Sequence, residues 1–315
     1  MTTAPPDPAP LTLPRTPPLV LRGRVFDASR PAVMAIVNRT SDSFWAGNRH
    51  AALEDAMAAL HAAVADGADI VDVGGVRAGQ EGDWVDADEE ISRVVPFLEA
   101  ARAAYPRLVL SLDTWRSEVA AAAEGSVDLV NDTWSGHDPD LVAVAARIGA
   151  GVVCSHTGGL PPRTDPVGVR YVDARGSDEL AVVRDVLGVL AAGARAAEAA
   201  GVPRERILVD PTLDFGKTTR HSLITLRHTA DVAALGYPVL QALSRKDFVG
   251  ETLDLDADER LEGTLAATAV AAWLGTTVFR AHDVRATRRV VDMVASIRGE
   301  RPPVRADRGE PVEQR

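Results

Sequence analysis

Cysteine is almost missing from this chain: Cys154 is the only one in 315 residues, so no internal disulfide can form and no cysteine-rich metal site exists. That scarcity points to a reducing, cytoplasmic setting. Aromatic residues make up only 4%, which leaves the core to Ala, Val, Leu and Ile, a composition that suits helices packed on parallel strands. No apolar run reaches the ~18 residues a membrane span needs. The N-terminus also lacks the basic-then-apolar order of a secretory signal, so a soluble protein with no membrane partner is expected. Basic residues are outnumbered 34 to 45, for a net charge of −11. Such a balance argues against non-specific nucleic-acid binding, which depends on Lys and Arg neutralising phosphates. Any anionic substrate needs a local basic cluster set against the global sign.

What is present is regular. Residues 1–20 are dense in proline and read as a disordered or polyproline-like arm, and 300–315 read as a polar tail. Between them, over 21–299, short aliphatic runs recur at 32–37, 69–73, 108–112, 128–130, 151–154, 207–209, 239–243 and 276–279. Longer Ala-rich stretches of helical spacing separate them, among them 50–66, 88–104, 177–200 and 258–274. In the first of these, Leu53, Met57, Leu60 and Val64 share one helical face. Strands alternating with helices predict a parallel sheet, and about eight such units is the number that closes a single-domain TIM (β/α)₈ barrel, an α/β fold.

Almost every apolar run ends in polar residues: Asn38; Asp72 before Gly74-Gly75; Asp113; Asn131-Asp132; His156; Asp210; Ser244-Arg245-Lys246; Arg280 with His282. Any one of these reads equally as a helix cap or turn residue. All of them together fit the carboxyl ends of barrel strands, which converge on one mouth where substrates bind.

Two groups within that set carry chemistry. Asp113, Asn131 and Asp210 suit a heterocycle with an edge of N–H donors, because a carboxylate accepts two parallel hydrogen bonds from a guanidine-like edge. The same trio also suits a metal, although closely spaced histidines are missing. Arg245, Lys246, Arg280 and His282, with Lys217 beside them in sequence, supply positive charge at the later strand ends. Barrels often bind phosphate there; ion pairing with the abundant acids is the competing reading. Cys154 reads as a small buried hydrophobe. Trp45, Trp84, Trp115 and Trp134 follow strands 1 to 4 and read as either a wall at the mouth or core packing.

These residues carry a resemblance. Asn38-Arg39-Thr40-Ser41-Asp42-Ser43-Phe44 resembles the signature Asn-Val-Thr-Pro-Asp-Ser-Phe of the dihydropteroate synthases. Similar agreement follows in order at Asp72-Val73-Gly74-Gly75, Asp113-Thr114, Asn131-Asp132, Asp210-Pro211, Phe215-Gly216-Lys217, Ser244-Arg245-Lys246 and Arg280-Ala281-His282-Asp283. The resemblance implies a transferase that joins 4-aminobenzoate to (7,8-dihydropterin-6-yl)methyl diphosphate in folate biosynthesis, on a TIM barrel that is commonly a homodimer. It further implies that Asp113, Asn131, Asp210 and Lys246 hold the pterin. Asn38 would bind Mg²⁺ with the departing diphosphate, Arg280 and His282 would bind that diphosphate, and Phe215 and Arg245 would border the aminobenzoate. The related methyltransferase barrels share the pterin-recognising carboxylates, but the Arg280/His282 pair favours a diphosphate ligand.

The sequence departs from the family in one direction. Where the family has Glu-Ser-Thr-Arg-Pro-Gly after the paired glycines, this chain has Val76-Arg77-Ala78-Gly79-Gln80, and Ser41 replaces a proline. Two family glycines become Thr212 and Asp214; if those positions need positive φ, their backbone must rearrange. The serine after Arg-Lys becomes Asp247. A carboxylate about 4 Å from a docked benzoate repels it by roughly 1–4 kcal/mol, unless Arg245 pairs with it. Pterin and diphosphate residues are kept while second-substrate residues are not. The expectation is a synthase with weak or lost activity or, alternatively, an inactive or repurposed pterin-binding paralogue.

Overall fold

The computed structural model describes residues 12–38, 49–77, 84–164, 169–172, 178–306 and 308. Eight parallel strands form its centre: β3 (Ala32–Asn38), β4 (Ile70–Gly74), β5 (Val109–Asp113), β6 (Leu129–Asp132), β7 (Gly151–Ser155), β8 (Ile207–Asp210), β9 (Leu240–Ala242) and β10 (Val278–Ala281). They pair in the order β8-β7-β6-β5-β4-β3-β10-β9. A parallel bridge between Val209 and Val239 brings the two ends of that row together, so the sheet closes into a barrel. Each connection is helical: α1 (Arg49–Ala65), α2 (Ala87–Ala104), α3 (Ser117–Ala122), α4 (Leu141–Arg147), α5 (Asp178–Ala199), α6 (Thr219–Arg227), α7 (Thr229–Ala233), α8 (Asp247–Leu253), α9 (Leu261–Trp273) and α10 (Val284–Ile297). This is the expected (β/α)₈ barrel.

All eight expected strands are present, most with ends shifted toward the carboxyl side. The sequence reading stopped at the last apolar residue, whereas Asn38, Asp113, Asp132, Ser155 and Asp210 remain in strand conformation. Backbone pairing, not side-chain polarity, sets where a strand ends. The expected helix over 258–274 is instead a 3₁₀ turn at Ala257–Glu259 followed by α9, and α8 precedes both.

A hairpin closes the amino-terminal end. Strand β1 (Leu19–Leu21) pairs antiparallel with β2 (Arg24–Phe26). Its buried Leu19, Leu21 and Phe26 pack on a layer contributed by every barrel strand: Ala32, Met34, Ile70, Val109, Leu129, Val153, Leu208, Leu240 and Val278. Part of the stretch expected as a loose arm is therefore core. Pro14 accepts a hydrogen bond from Arg298 at 2.6 Å, and Arg15 pairs with Glu300 at 3.1 Å, which ties this stretch to the end of α10. Residues 1–11 and 309–315 lie outside the described residues. Two larger clusters fill the layer between strands and helices, one around Phe97, Leu112, Phe248 and Phe279, the other around Val186, Leu190, Ile207 and Val239. With the amino-terminal end plugged, the polar strand ends are left at the opposite mouth.

Candidate functional site

Register aligns the first group of polar residues. Asn38 pairs with Gly74, Gly74 with Asp113, and Asp113 with Asn131, so these positions form one row across β3 to β6. Across the mouth, Ser155 pairs with Asp210.

At the bottom of the mouth lies Asp72, fully buried. Its carboxylate accepts from Arg280 Nε at 2.6 Å, Ser111 Oγ at 2.5 Å and Asn131 Nδ2 at 3.2 Å. Arg280 reaches on with Nη2 to Asp113 Oδ2 at 2.8 Å, while Thr133 donates to the other Asp113 oxygen at 2.8 Å. A buried charge persists only when paired and hydrogen-bonded, and this chain of partners meets that condition. Burial nonetheless pushes the Asp113 carboxyl up to about 6; Arg280 opposes the shift and the neighbouring Asp72 adds to it. Burial likewise raises the Asp210 pKa against the pull of Lys246, Lys217 and Arg280.

Lys246 stands opposite this cluster. Its ammonium donates to the Leu213 carbonyl and lies 5.1 Å from the centre of the Phe215 ring, within cation–π reach. Burial lowers its pKa, while Asp214 and Asp210 hold it up. Phe215 in turn meets buried Trp134 edge-on, with ring centres 5.4 Å apart. Trp134 is thus the wall residue among the tryptophans. Trp115 stacks with Arg116, Trp84 is exposed, and Trp45 lies outside the described residues.

The loop after β8 keeps the left-handed backbone that glycines favour. Thr212, Asp214 and Gly216 have φ of 49°, 71° and 62°. The two substitutions therefore do not rearrange the loop; their side chains hold it. Thr212 Oγ1 donates to the Asp210 carbonyl at 2.9 Å and accepts from the His156 amide at 3.2 Å. Asp214 accepts from Ser222 Oγ at 3.0 Å and from the Phe248 amide at 3.3 Å. Gly216 has no such freedom, since a Cβ there would lie 2.2 Å from the Thr157 carbonyl oxygen. Beneath the loop, Lys217 Nζ is ringed by His156 Nδ1 at 2.7 Å and the carbonyls of His156, Phe215 and Thr212 at 2.9, 3.0 and 3.1 Å. With Nδ1 accepting from the lysine, His156 Nε2 donates to Asp185 at 2.8 Å. Burial lowers Lys217 to about 7 and His156 to about 4. Lys217 thus acts as a clamp on the loop that carries Phe215.

The remaining expected residues lie around the rim. Arg245 donates to both oxygens of Asp283, at 3.0 and 3.2 Å, and to the carbonyls of Ala257 and Asp258. Asp247 is exposed and pairs with Arg260 at 2.8 Å, not with Arg245. His282 donates its amide to Ser244 Oγ at 3.3 Å, and partial desolvation together with Arg280 lowers its pKa. Asn38 sits exposed at the end of β3. Ala78 to Gln80 and the loop over 39–48 lie outside the described residues.

The structure therefore brings Asp113, Asn131, Asp210, Lys246 and Arg280 into one cluster at the strand ends, with Phe215 beside Lys246. It leaves Asn38, His282, Arg245 and Asp247 on the rim. Sequence reasoning assigned no role to Asp72, the anchor of the cluster, although its place at a strand end beside Gly74-Gly75 was a usable signal. Asp283 stood in the Arg280-Ala281-His282-Asp283 match without a role, and Arg260 gave no signal, because both act through pairing with residues distant in sequence.

A model of the pterin binding enzyme family matches residues 34–282. The chain belongs to that family. It is 56% identical over 292 residues to a Mycobacterium tuberculosis protein named inactive dihydropteroate synthase 2, covering 92% of this chain and 90% of that one. The dihydropteroate synthase of Bacillus subtilis is 34% identical over 264 residues, covering 83% of this chain and 87% of its own length. Among solved structures, Xanthomonas albilineans dihydropteroate synthase with 4-aminobenzoic acid superposes with a TM-score of 0.77 at 34% identity, covering 91% of this chain and 98% of that one. Pterin-binding relatives thus include both synthases and proteins called inactive, and this chain is more similar in sequence to an inactive one.

Proposed function

We propose that this chain is a pterin-binding paralogue of dihydropteroate synthase that does not carry out the synthase reaction. The observation that carries this reading is the commitment of Arg280. Two of its three guanidinium nitrogens hold Asp72 and Asp113 at 2.6 and 2.8 Å. A group that stabilises a leaving diphosphate must face the developing charge, and this arginine faces the chain's own carboxylates. The pterin side is equipped by contrast: Asp113, Asn131 and Asp210 offer acceptors for a heterocycle's N–H edge, Lys246 offers a donor, and Phe215 with Trp134 a flat apolar wall. The name of the 56%-identical relative, inactive dihydropteroate synthase 2, supports the absence of the synthase reaction.

The rim does not fit Mg²⁺ by itself. No three His, Cys, Asp or Glu side chains among the described residues group as a metal site, and Asn38 offers one neutral oxygen. Magnesium is bound through carboxylates together with substrate phosphates, so in this reading the ion would come only with a diphosphate, and no step here depends on it. A homodimer is part of the proposal: Val270 on α9 and Met293 and Ile297 on α10 are large exposed apolar side chains on neighbouring helices. A cytoplasmic setting is proposed from the single, buried Cys154; no helix among the described residues is long and apolar enough to cross a membrane.

Calorimetry with (7,8-dihydropterin-6-yl)methyl diphosphate, followed by a pyrophosphate-release assay with 4-aminobenzoate and Mg²⁺, tests this function. Binding without release is expected. Sustained release of pyrophosphate coupled to dihydropteroate formation would overturn the inactivity, and no pterin binding would overturn the whole reading.

A further inference from the structure

The barrel end opposite the mouth holds a second concentration of charge. A cavity of about 450 Å³ opens there between the turns before β3 and β4, α10 and the segment after α10, and Arg30, Asp69, Arg288, Asp292 and Arg301 line it. Buried Asp69 accepts from three arginines: Arg24 Nη2 at 2.5 Å, Arg288 Nη1 at 2.9 Å and Arg30 Nη2 at 3.2 Å. Arg288 also donates to the Pro31 carbonyl, and Arg301 lies 2.6 Å from Asp292. Four guanidiniums thus share two carboxylates, in a chain whose net charge is −11. The third acid of the lining, Glu300, is turned to Arg15 and Arg298. Burial lowers the Arg288 pKa; Asp69 and Asp292 oppose the shift, while Arg30 and Arg301 add to it. The cluster is short of negative charge.

Two buried polar atoms in the lining are also unmatched. Arg288 Nε and Asp292 Oδ1 stand 3.4 Å apart, and among the described residues neither has a partner in hydrogen-bond geometry. A buried donor and acceptor left open in this way are costly, and a ligand that both accepts and donates would satisfy them. At the cavity's open side, Arg30 and Arg301 are 63% and 33% exposed, and each uses one terminal nitrogen in its ion pair.

We propose that this cavity is a phosphate site: a phosphate group, free or carried on a small organic ester, is held by Arg30, Arg288 and Arg301, and its protonated oxygen donates to Asp292. Guanidinium forks match the spacing of phosphate oxygens. The proton sets phosphate apart from sulfate, which has none to donate to Asp292. The site is independent of the reading of the mouth, because it lies at the other end of the strands.

Calorimetric titrations with inorganic phosphate, glycerol phosphate and sulfate at matched ionic strength test it, at about pH 6, where a phosphate ester still keeps a proton on part of its population. Phosphate should bind about tenfold more tightly than sulfate, the worth of one hydrogen bond to a carboxylate. Replacing the two exposed arginines, in Arg30→Gln/Arg301→Gln, should weaken phosphate binding by about tenfold or more. Arg285→Gln is the control: it removes a charge on the same helix, one paired with Asp66 outside the cavity lining, and should change the affinity by less than about threefold. Circular dichroism confirms that the variants fold, and each single substitution replaces the double one if it does not. Tighter binding of glycerol phosphate than of inorganic phosphate makes an ester the ligand, and the reverse makes it free phosphate; either upholds the site. No phosphate binding at millimolar concentration, sulfate bound as tightly, or equal losses in the double variant and the control overturns it.

Discussion

If Arg280 is a structural counter-ion and not a free anion receptor, replacing it should be felt first in stability. Arg280→Met keeps the apolar stem and removes the charge. Asp72 is then left fully buried with only Ser111 and Asn131 as donors, and Asp113 keeps only Thr133. Stranding one partner of a buried ion pair typically costs about 3–5 kcal/mol. Arg280 is 19% exposed and Asp72 0%, so solvent screening takes little from that figure. At roughly 2–3 °C per kcal/mol for a chain of this length, the melting temperature should drop by about 6–15 °C. Adding Asp72→Asn removes the stranded charge, so the double variant should recover a substantial part of the loss even though it lacks both charges. Thermal unfolding by circular dichroism reads all three proteins. If Arg280→Met melts within 2 °C of the parent, or if Asp72→Asn makes it worse, the guanidinium is not committed as described and the case against leaving-group stabilisation fails with it.

Two further outcomes follow from the mouth. Pterin affinity should be pH-dependent through Asp113, whose carboxyl is raised to about 6 mainly by burial: the ionised form accepts the ligand's N–H edge, so affinity should hold above pH 7 and weaken by about tenfold at pH 5. Asp113→Asn should bind weakly and flatten that profile, and a parent profile flat from pH 5 to 7 would contradict the assignment. Asp247→Ser, which the sequence alone suggests should improve benzoate binding by removing a repulsion of roughly 1–4 kcal/mol, should instead change it by less than about threefold, because Asp247 is an exposed partner of Arg260 and such pairs contribute under about 1 kcal/mol. A tenfold gain by calorimetry would show that Asp247 faces the ligand in spite of its pairing with Arg260.

The barrel was legible in the sequence because each strand is buried on both sides and each helix on one, so the alternation of short aliphatic runs with helical spacing carries the architecture. Strand ends were placed early because apolarity ends before pairing does, as at Asn38 and Asp113. The hairpin Leu19–Phe26 was missed because short runs beside a proline-rich stretch have no periodicity of their own; its order comes from the barrel end it covers. In the site, residue types at strand ends pointed to the Asp113, Asn131 and Arg280 cluster that the register and hydrogen bonds bring together. Which acid holds which base was not legible: Arg280 with Asp72 is a contact across 208 residues, and Arg245 with Asp283 one across 38.

The two halves of the mouth are built differently, and that difference explains how one can be kept while the other changes. Asp113, Asn131 and Asp210 are ladder residues, fixed by register to their neighbours, and Asp72 ties Asn131 directly and Asp113 through Arg280. Altering any of them strands a buried charge or donor, so the penalty appears in folding whether or not the protein turns anything over. Thr212, Asp214 and Phe215 stand on the loop after β8 and Asp247 at the start of α8, where a substitution is absorbed locally. Thr212 and Asp214 show how: each replaces a family glycine, keeps the left-handed backbone, and stabilises it with its own side-chain hydrogen bonds. Left-handed threonine costs of order 1–3 kcal/mol, an amount that two hydrogen bonds of about 0.5–1.5 kcal/mol each largely offset. Stability therefore protects the buried acid cluster whether or not the chain turns anything over.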